Sequence, residues 1–130
     1  MTKVLVVDDD EAVRHFESRV LESSGLCCRL ASNAEEARAC LVEYDFALAL
    51  VDVRLPGESG TELVKVIRQK HPATAVVMVT GVDDPRVADV ALENGAFGYL
   101  VKPVRANELI INVASALRRR DHELKSRDHQ

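Results

Sequence analysis

The sequence predicts an α/β domain in which five parallel strands alternate with five helices. Short aliphatic runs recur along the chain, and the first, third and fourth are nearly continuous in Val, Leu and Ala. Such runs are typical of strands that helices cover on both faces. The segments between them carry apolar residues at helical spacing. This alternation implies parallel pairing, right-handed crossovers and helices on both faces of a single doubly wound sheet.

The five predicted strands are residues 3–7, 26–30, 47–51, 75–79 and 98–101. The helices are recognised by apolar residues at helical spacing. These are Val13, Phe16 and Val20 in the first helix, Ala37 and Leu41 in the second, Leu63 and Ile67 in the third, Val87 and Ala91 in the fourth, and Leu109, Val113 and Leu117 in the fifth. We expect Ala37 and Leu41 to face the core.

Capping residues indicate where these helices begin and end. In chain order they are Gly25 as a stop, Ser32 with Glu35 and Ser59 with Glu62 as S-x-x-E capping boxes, Asp84 with Pro85 as a start, and Gly95 as a stop. The boundaries of the elements are therefore predicted mostly by polar residues and glycines, and the elements themselves by apolar ones.

The composition limits the classes of function. With 130 residues, of which 47% are hydrophobic and 29% charged, the chain fits one globular domain. No apolar run is long enough to cross a membrane and no export signal opens the chain, so we expect a cytoplasmic protein. Cys27, Cys28 and Cys40 lack C-x-x-C spacing, which favours reduced core thiols over a zinc site. The net charge of −4 gives no reason to expect nucleic-acid binding.

Polar residues follow four of the five predicted strands. They are Asp8 and Asp9 in "VLVVDDDE", Asp52 in "LALVDVRLPGESG", Thr80 in "VVMVTG" and Lys102 in "GYLVKP". Open parallel sheets bind ligands outside the carboxyl ends of their strands, so these side chains are expected to converge. Each alone has an ordinary role in a turn or cap, and Asp10 and Glu11 suit such roles at the start of the first helix.

Three aspartates at one edge of a sheet indicate a cation site. At about 4 Å and an effective dielectric near 20, two like charges repel by roughly 4 kcal/mol. Oxygen ligands without His or Cys favour Mg²⁺ over zinc. A carboxylate beside such an ion, with the Lys102 ammonium and the Thr80 hydroxyl, suits phosphoryl chemistry. His15, His71, His122 and His129 fall on helices or in the tail, where we expect them to be solvated.

The four quoted motifs resemble, in order and spacing, those of response regulator receiver domains of two-component signalling. The resemblance covers residues 3 to about 120. It implies a (βα)5 flavodoxin-like fold, similar to that of chemotaxis regulators, with strand order 2-1-3-4-5. It also implies a receiver domain at residues 1–120, followed at 121–130 by a polar C-terminal helix extension or linker. Such a domain is a signalling phosphoacceptor and not an enzyme that turns over an external substrate.

The resemblance assigns roles to individual residues. Asp52 resembles the aspartate that accepts a phosphoryl group. Asp8, Asp9, Asp52 and the main-chain carbonyl of Arg54 resemble the ligands of Mg²⁺. Lys102 resembles the lysine that pairs with the phosphoryl group, and the bond from Lys102 to Pro103 is usually cis in the family. Thr80 and Tyr99 resemble the switch pair that alters the surface of the fourth helix, fifth strand and fifth helix.

The resemblance also implies partners. The phosphoryl donor would be a sensor histidine kinase or a phosphotransfer protein. The output would be a downstream effector or a covalently attached domain outside this chain, and no direct contact with nucleic acid or membrane is expected. Ile110, Val113, Leu117 and Leu124 lie at near-heptad spacing, with Arg120 interrupting the seam. This spacing leaves two alternatives, a homodimer through the fifth helix or a polar tail. A homodimer through the switch surface is a separate alternative.

Two further readings of the strand-end cluster stay open from the residues. One is a Mg²⁺-dependent phosphatase of the haloacid-dehalogenase type, although "DDDEA" does not match the D-x-D-x-T of that family. The other is a receiver-like interaction module that works without phosphorylation. Separately, Arg54 and Val82 occupy positions that the resemblance links to the lifetime of the phosphoryl group. Val82 has no group to orient water, so we expect slow self-dephosphorylation.

Overall fold

The computed structural model describes residues 1–81 and 85–128, except the side chain of residue 128. Ten elements alternate along it. The strands are β1 (Lys3–Val7), β2 (Cys27–Ala31), β3 (Leu48–Asp52), β4 (Ala75–Thr80) and β5 (Gly98–Val101). The helices are α1 (Glu11–Ser23), α2 (Ala34–Glu43), α3 (Gly60–Lys70), α4 (Pro85–Glu93) and α5 (Ala106–Asp128).

The five strands form one parallel sheet in the order β2-β1-β3-β4-β5, which confirms the predicted fold class. Three strands end one residue later than the sequence predicts. Asp52 pairs with Val79, and Thr80 pairs with Val101, so both are the last residues of their strands. Their backbones are therefore fixed by the ladder of the sheet, and a fixed backbone gives their side chains a defined direction.

The two faces of the sheet are covered by different helices. One face packs on α2, α3 and α4 through a core that includes Leu5, Val51 and Met78. The other packs on α1 and α5 through a core that includes Val6 and Leu50. Because side chains alternate along a strand, β1, β3 and β4 contribute residues to both cores. The near-continuous aliphatic runs of the sequence follow from this burial on both sides.

The helix caps confirm most of the sequence signals and correct one. Asp10 accepts hydrogen bonds from the backbone N–H groups of Ala12 and Val13, and Ser59 accepts one from Glu62. The predicted cap of α2 is wrong by one position. Asn33 is the N-cap, and the Glu36 carboxylate accepts from the Ser32 backbone and hydroxyl, whereas Glu35 takes no part. Asn33 competes successfully because its amide oxygen reaches the N–H of Glu36.

The remaining boundary signals also agree with the structure where it describes them. Gly25 and Gly95 have φ angles of 87° and 104°, in the left-handed region that follows many helices. Pro85 is the first residue of α4, and Asp84 lies outside the described residues. The three cysteines are free thiols, but they are half-buried and not fully in the core.

The buried face of α1 differs from the stripe that the sequence suggests. Phe16 is 43% exposed, while the residues buried on this helix are Glu17, Ser18 and Leu21. The helix is turned by about one residue relative to an assignment based on its large apolar side chains. A glutamate consequently points into the molecule where a phenylalanine was expected.

The last helix, α5, continues through residue 120 as one element to Asp128. Its first half is buried through Leu109, Val113 and Ala116. Arg120 donates a hydrogen bond to the backbone carbonyl of Ala73, which holds the helix against the loop before β4. No helix in the described part of the chain is both long and apolar enough to cross a membrane.

Candidate functional site

Asp8 is a buried carboxylate at the end of β1, only 1% exposed. Its backbone N–H donates to Ala31, its carbonyl accepts from the Arg14 guanidinium at 2.7 Å, and its Oδ1 accepts from Asp10 N–H at 2.9 Å. Burial raises the pKa of Asp8, against the lowering effect of the Asp10 hydrogen bond and of Lys102. The neighbouring Asp9 is exposed.

Asp52 lies at the end of β3 and is 5% exposed. Its Oδ1 accepts a hydrogen bond from the backbone N–H of Arg54 at 3.2 Å. The start of α3 approaches the same strand end very closely, since a Cβ added to Gly60 would lie 2.0 Å from the Asp52 carbonyl oxygen. Gly60 also donates its N–H to Val53 at 2.8 Å. A glycine is therefore required where α3 begins, because any side chain would push the strand end away.

The carboxylates of Asp8, Asp9 and Asp52 converge as the sequence predicts. One oxygen from each lies within 4.8 Å of the other two. Three oxygen donors of negative charge, two of them on buried residues, suit a hard divalent cation such as Mg²⁺. The raised pKa of Asp8 indicates that the charged cluster is costly when only protein groups surround it.

Lys102 bridges the two buried aspartates. Its Nζ lies 2.9 Å from Asp52 Oδ2 and 3.0 Å from Asp8 Oδ2, and its side chain is 25% exposed. Burial alone would lower the pKa of Lys102, but the hydrogen bonds and charges of Asp52 and Asp8 together raise it. The Lys102 N–H donates to the Thr80 carbonyl at 2.7 Å, and the peptide bond to Pro103 is cis.

Thr80 and Tyr99 lie on the same face of the sheet. Thr80 pairs with Val101 and Met78 pairs with Tyr99, so the alternation of side chains directs both residues toward α3 and α4. Thr80 is buried, and Tyr99 is half-buried against the core on that face. The two residues that the sequence predicts as a switch pair thus occupy neighbouring strands and point to the same face of the sheet.

The cluster opens to solvent through a cleft of about 360 Å³. The described residues that line it are Asp9, Asp10, Asp52, Arg54, Gly81 and Lys102. Arg54 is exposed at its rim, while Val82 lies outside the described residues. His15 and His122 are exposed and His71 is half-buried at the end of α3; none of these three lines the cleft, and His129 lies outside the described residues.

Sequence reasoning missed Glu17, which lies on the buried face of α1. Burial raises its pKa to about 8, helped by the charge of Asp8 and opposed by that of Lys102. A sequence signal did exist, because Glu17 is four residues after Val13 and four before Leu21, within an apolar stripe of helical spacing. Gly60 and Arg14 were missed as well, and their roles depend on contacts between elements distant in sequence.

Comparison with known families gives one match that covers most of the chain. Residues 4–114 match the family model described as the response regulator receiver domain. The chain is 43% identical over 121 residues to the response regulator protein PilR of Pseudomonas aeruginosa, covering 93% of this chain and 27% of that protein. It is 35% identical over 127 residues to the DNA-binding transcriptional regulator NtrC of Escherichia coli, covering 98% and 27%.

Solved structures show the same architecture. A CheY-like receiver domain protein from Methanospirillum hungatei superposes with a TM-score of 0.89 at 32% identity, covering 95% of this chain and 98% of that one. NtrX from Brucella abortus superposes with a TM-score of 0.92 at 30% identity, covering 97% of this chain and 29% of that one. The chain thus spans 27% of the length of PilR and NtrC, and nearly the whole of a single receiver domain.

Proposed function

Because the chain belongs to the response regulator receiver domain family of two-component systems, we propose that Asp52 accepts a phosphoryl group in a Mg²⁺-dependent reaction. The donor is the phosphohistidine of a sensor histidine kinase or of a phosphotransfer protein. A carboxylate oxygen of Asp52 attacks phosphorus, and the bond from phosphorus to the donor's imidazole nitrogen breaks. That nitrogen keeps the bonding electrons, and the product is an acyl phosphate on Asp52.

Asp8, Asp9, Asp52 and the main-chain carbonyl of Arg54 are the protein ligands that would hold Mg²⁺. The convergence of three carboxylates supports this assignment. When bound, the ion supplies positive charge to the oxygens of the transferring group. Lys102 adds a second positive charge, and its present contact with Asp52 places its ammonium beside the oxygen that would carry the phosphoryl group.

The response of the domain follows from Thr80 and Tyr99. The acyl phosphate adds negative charge and acceptor oxygens at the end of β3, which attract the Thr80 hydroxyl and Lys102. Since Thr80 and Tyr99 face the same core, a shift of Thr80 changes the space available to the tyrosine ring. The surface of α4, β5 and α5 then changes, and it controls either an effector or an attached output domain.

The same surface is a candidate for self-association. Val90 and Leu92 on α4 and Ile110 and Ile111 on α5 are exposed hydrophobic residues. A homodimer through this surface, or through the extended α5, would cover them. We further propose that the domain acts in the cytoplasm and does not itself bind nucleic acid, since its net charge is −4.

The observation that carries the proposal is the contact of Lys102 with Asp52 within the three-aspartate cluster. Intact-mass spectrometry after incubation with acetyl phosphate and Mg²⁺ tests it. We expect one phosphoryl group per chain in the wild type, and none in Asp52→Asn or when a chelator removes Mg²⁺. Equal labelling of Asp52→Asn would contradict the assignment of the acceptor, and continuous release of phosphate without a labelled protein would favour a phosphatase.

A further inference from the structure

A second cavity adjoins the aspartate cluster on the side of α1. It has a volume of about 430 Å³ and lies between α1 and the segment that follows β5. The described residues that line it are Ala12, Val13, Phe16, Glu17, Gly81, Lys102, Pro103 and Val104. Among these, Glu17 and Lys102 are the only charged or hydrogen-bonding side chains. The described wall of the cavity is therefore apolar except for one carboxyl group and the stem of the lysine that reaches Asp52.

Glu17 is unusual for a residue in such surroundings. It is 1% exposed, and its Oε2 has no hydrogen-bond partner among the described residues. Glu17 and Lys102 line the same cavity, and the charges of Asp8, Lys102 and Asp52 act on the pKa of Glu17. A buried polar atom without a partner is costly, so its presence calls for an explanation such as a functional role or a bound water or ion.

Lys102 needs a second acceptor in one such state. Its Nζ now lies between Asp8 Oδ2 and Asp52 Oδ2, at distances of 3.0 and 2.9 Å. A divalent cation held by the aspartates would compete with the ammonium for the oxygen of Asp8. An ammonium has three donors and no acceptor, so it cannot leave Asp8 for an apolar cavity unless an acceptor is there. Glu17 is the acceptor that the described wall of the cavity offers.

We propose that Glu17 is a positioning residue for Lys102, accepting a hydrogen bond at Oε2 from the ammonium when a divalent cation occupies the aspartates. This inference rests on the proposed function. Lys102 already lines the cavity, and its flexible stem lets the ammonium turn toward it. No proton is transferred, because the carbonyl oxygen of a neutral carboxylic acid accepts a hydrogen bond from an ammonium.

Glu17 therefore stabilises the cation-bound state and destabilises the folded protein that has no cation. A glutamine supplies the same acceptor at the same reach, whereas a leucine fills the space without one. Losing a hydrogen bond to a charged group weakens binding by roughly ten-fold. Replacing a poorly satisfied buried carboxyl with leucine, in contrast, stabilises the fold.

Calorimetric titration of the full chain with Mg²⁺ at pH 7 tests the proposal, using wild type, Glu17→Gln and Glu17→Leu. We expect Glu17→Leu to bind Mg²⁺ roughly ten-fold more weakly although it unfolds at a higher denaturant concentration. We expect Glu17→Gln to remain within about two-fold of the wild type. Glu22→Leu is the matched control, since it removes a glutamate from an exposed position of the same helix and should leave Mg²⁺ affinity unchanged.

A double-mutant cycle with Lys102→Met shows whether Glu17 acts through Lys102. In that background, the Glu17→Leu substitution should no longer change Mg²⁺ affinity. The side-chain carbon resonances of Lys102 should also shift on Mg²⁺ addition by a different amount in Glu17→Leu than in the wild type. Wild-type affinity in Glu17→Leu, or an equal loss in Glu17→Gln, would overturn this inference alone. Failure of the wild type to bind Mg²⁺ would overturn the proposed function as well.

Discussion

Buried polar groups are paired at the amino edge of the sheet, whereas at its carboxyl edge like charges lie close together. At the amino edge, formed by Phe46, Thr74 and Phe97 before β3, β4 and β5, buried polar groups pair with one another. The Thr74 hydroxyl donates to the Phe46 carbonyl at 2.7 Å, and the Phe97 N–H donates to Val76 at 2.7 Å. At the carboxyl edge, Asp8, Asp9 and Asp52 repel one another, and one ammonium is shared between two of them.

The amino edge also gathers cations without placing acids against each other. The guanidinium of Arg68 lies 4.7 Å from the centre of the Phe97 ring, and that of Arg119 lies 4.1 Å from it. Arg68 also donates to the carbonyls of Pro72 and Thr74. The fold is therefore stabilised at its amino edge, whereas like charges are gathered at its carboxyl edge. Substitutions at the two edges should therefore separate stability from phosphoryl chemistry.

The largest expected effect is the pH dependence caused by Glu17, which lies behind the carboxyl edge. Its pKa is raised by burial from the ordinary 4.5 of a glutamate to about 8, so the folded protein keeps a proton that the unfolded chain releases. The contribution of this protonation to the free energy of unfolding is therefore fully present below pH 4.5, and it is lost as the pH rises toward 8. By linkage the loss is about 4 kcal/mol. Urea unfolding from pH 5 to 8.5 measures it, and Glu17→Leu should flatten the profile; an equally steep profile in that variant would refute the assignment.

The amino edge is tested next with Thr74→Val. The substitution keeps the shape of the side chain but leaves the buried Phe46 carbonyl without its donor. We expect a loss of about 1–3 kcal/mol in the free energy of unfolding and unchanged labelling of Asp52 by acetyl phosphate. Thr2→Val, at an exposed position, is the control. Loss of labelling in folded Thr74→Val protein would show that the two edges are not separable.

The opposite result is expected for Asp8→Asn at the carboxyl edge. Burial raises the pKa of Asp8, so its ionised form is disfavoured in the folded state. Removing the charge should increase the free energy of unfolding at pH 7, because desolvation then costs less, while Mg²⁺-dependent labelling of Asp52 is lost. Chemical denaturation and mass spectrometry on the same preparation measure both quantities. A destabilised Asp8→Asn protein would mean that the pair with Lys102 outweighs the repulsion.

The smallest effect is expected for Arg119→Gln. The substitution removes one of the two cations that stack on Phe97, together with the pair to Glu123 at 3.3 Å. Both contacts are partly exposed, so the expected loss of stability is about 0.5–1 kcal/mol. Thermal unfolding measures it, with Arg118→Gln on the same helix as the comparison. A larger loss of stability in Arg118→Gln than in Arg119→Gln would contradict the stabilising role given to the contacts of Arg119.

Much of the carboxyl edge was predictable from the sequence because its position follows from topology. A strand followed by Asp, Thr or Lys places that residue at the edge, and parallel strands bring such residues together whatever the details of packing. Asp8, Asp9, Asp52 and Lys102 accordingly converge as predicted. The cap of α2 was misplaced by one residue because Ser32 and Asn33 both suit the position and only the local backbone decides between them.

Glu17, Gly60 and Thr74 do not follow from topology, and of the three only Glu17 left a sequence signal, its place in an apolar stripe of α1. The burial of Glu17 depends on the rotation of α1 about its axis, which the exposed Phe16 shows to be set by packing and not by apolar content. Gly60 is required because α3 approaches Asp52 closely. The spacing of residues in the sequence does not reveal how close these two elements lie. Thr74 depends on a partner 28 residues away in the chain.

The cation site proposed at the carboxyl edge should make the stability of the fold depend on Mg²⁺. The test is to measure the free energy of unfolding as a function of Mg²⁺ concentration in the wild type and in Asp9→Asn. Asp9 is an exposed residue. We expect the wild type to gain about 2.7 kcal/mol at a Mg²⁺ concentration of 100 times the dissociation constant, and Asp9→Asn to gain much less at the same concentration. A wild-type stability that does not change with Mg²⁺ would contradict it.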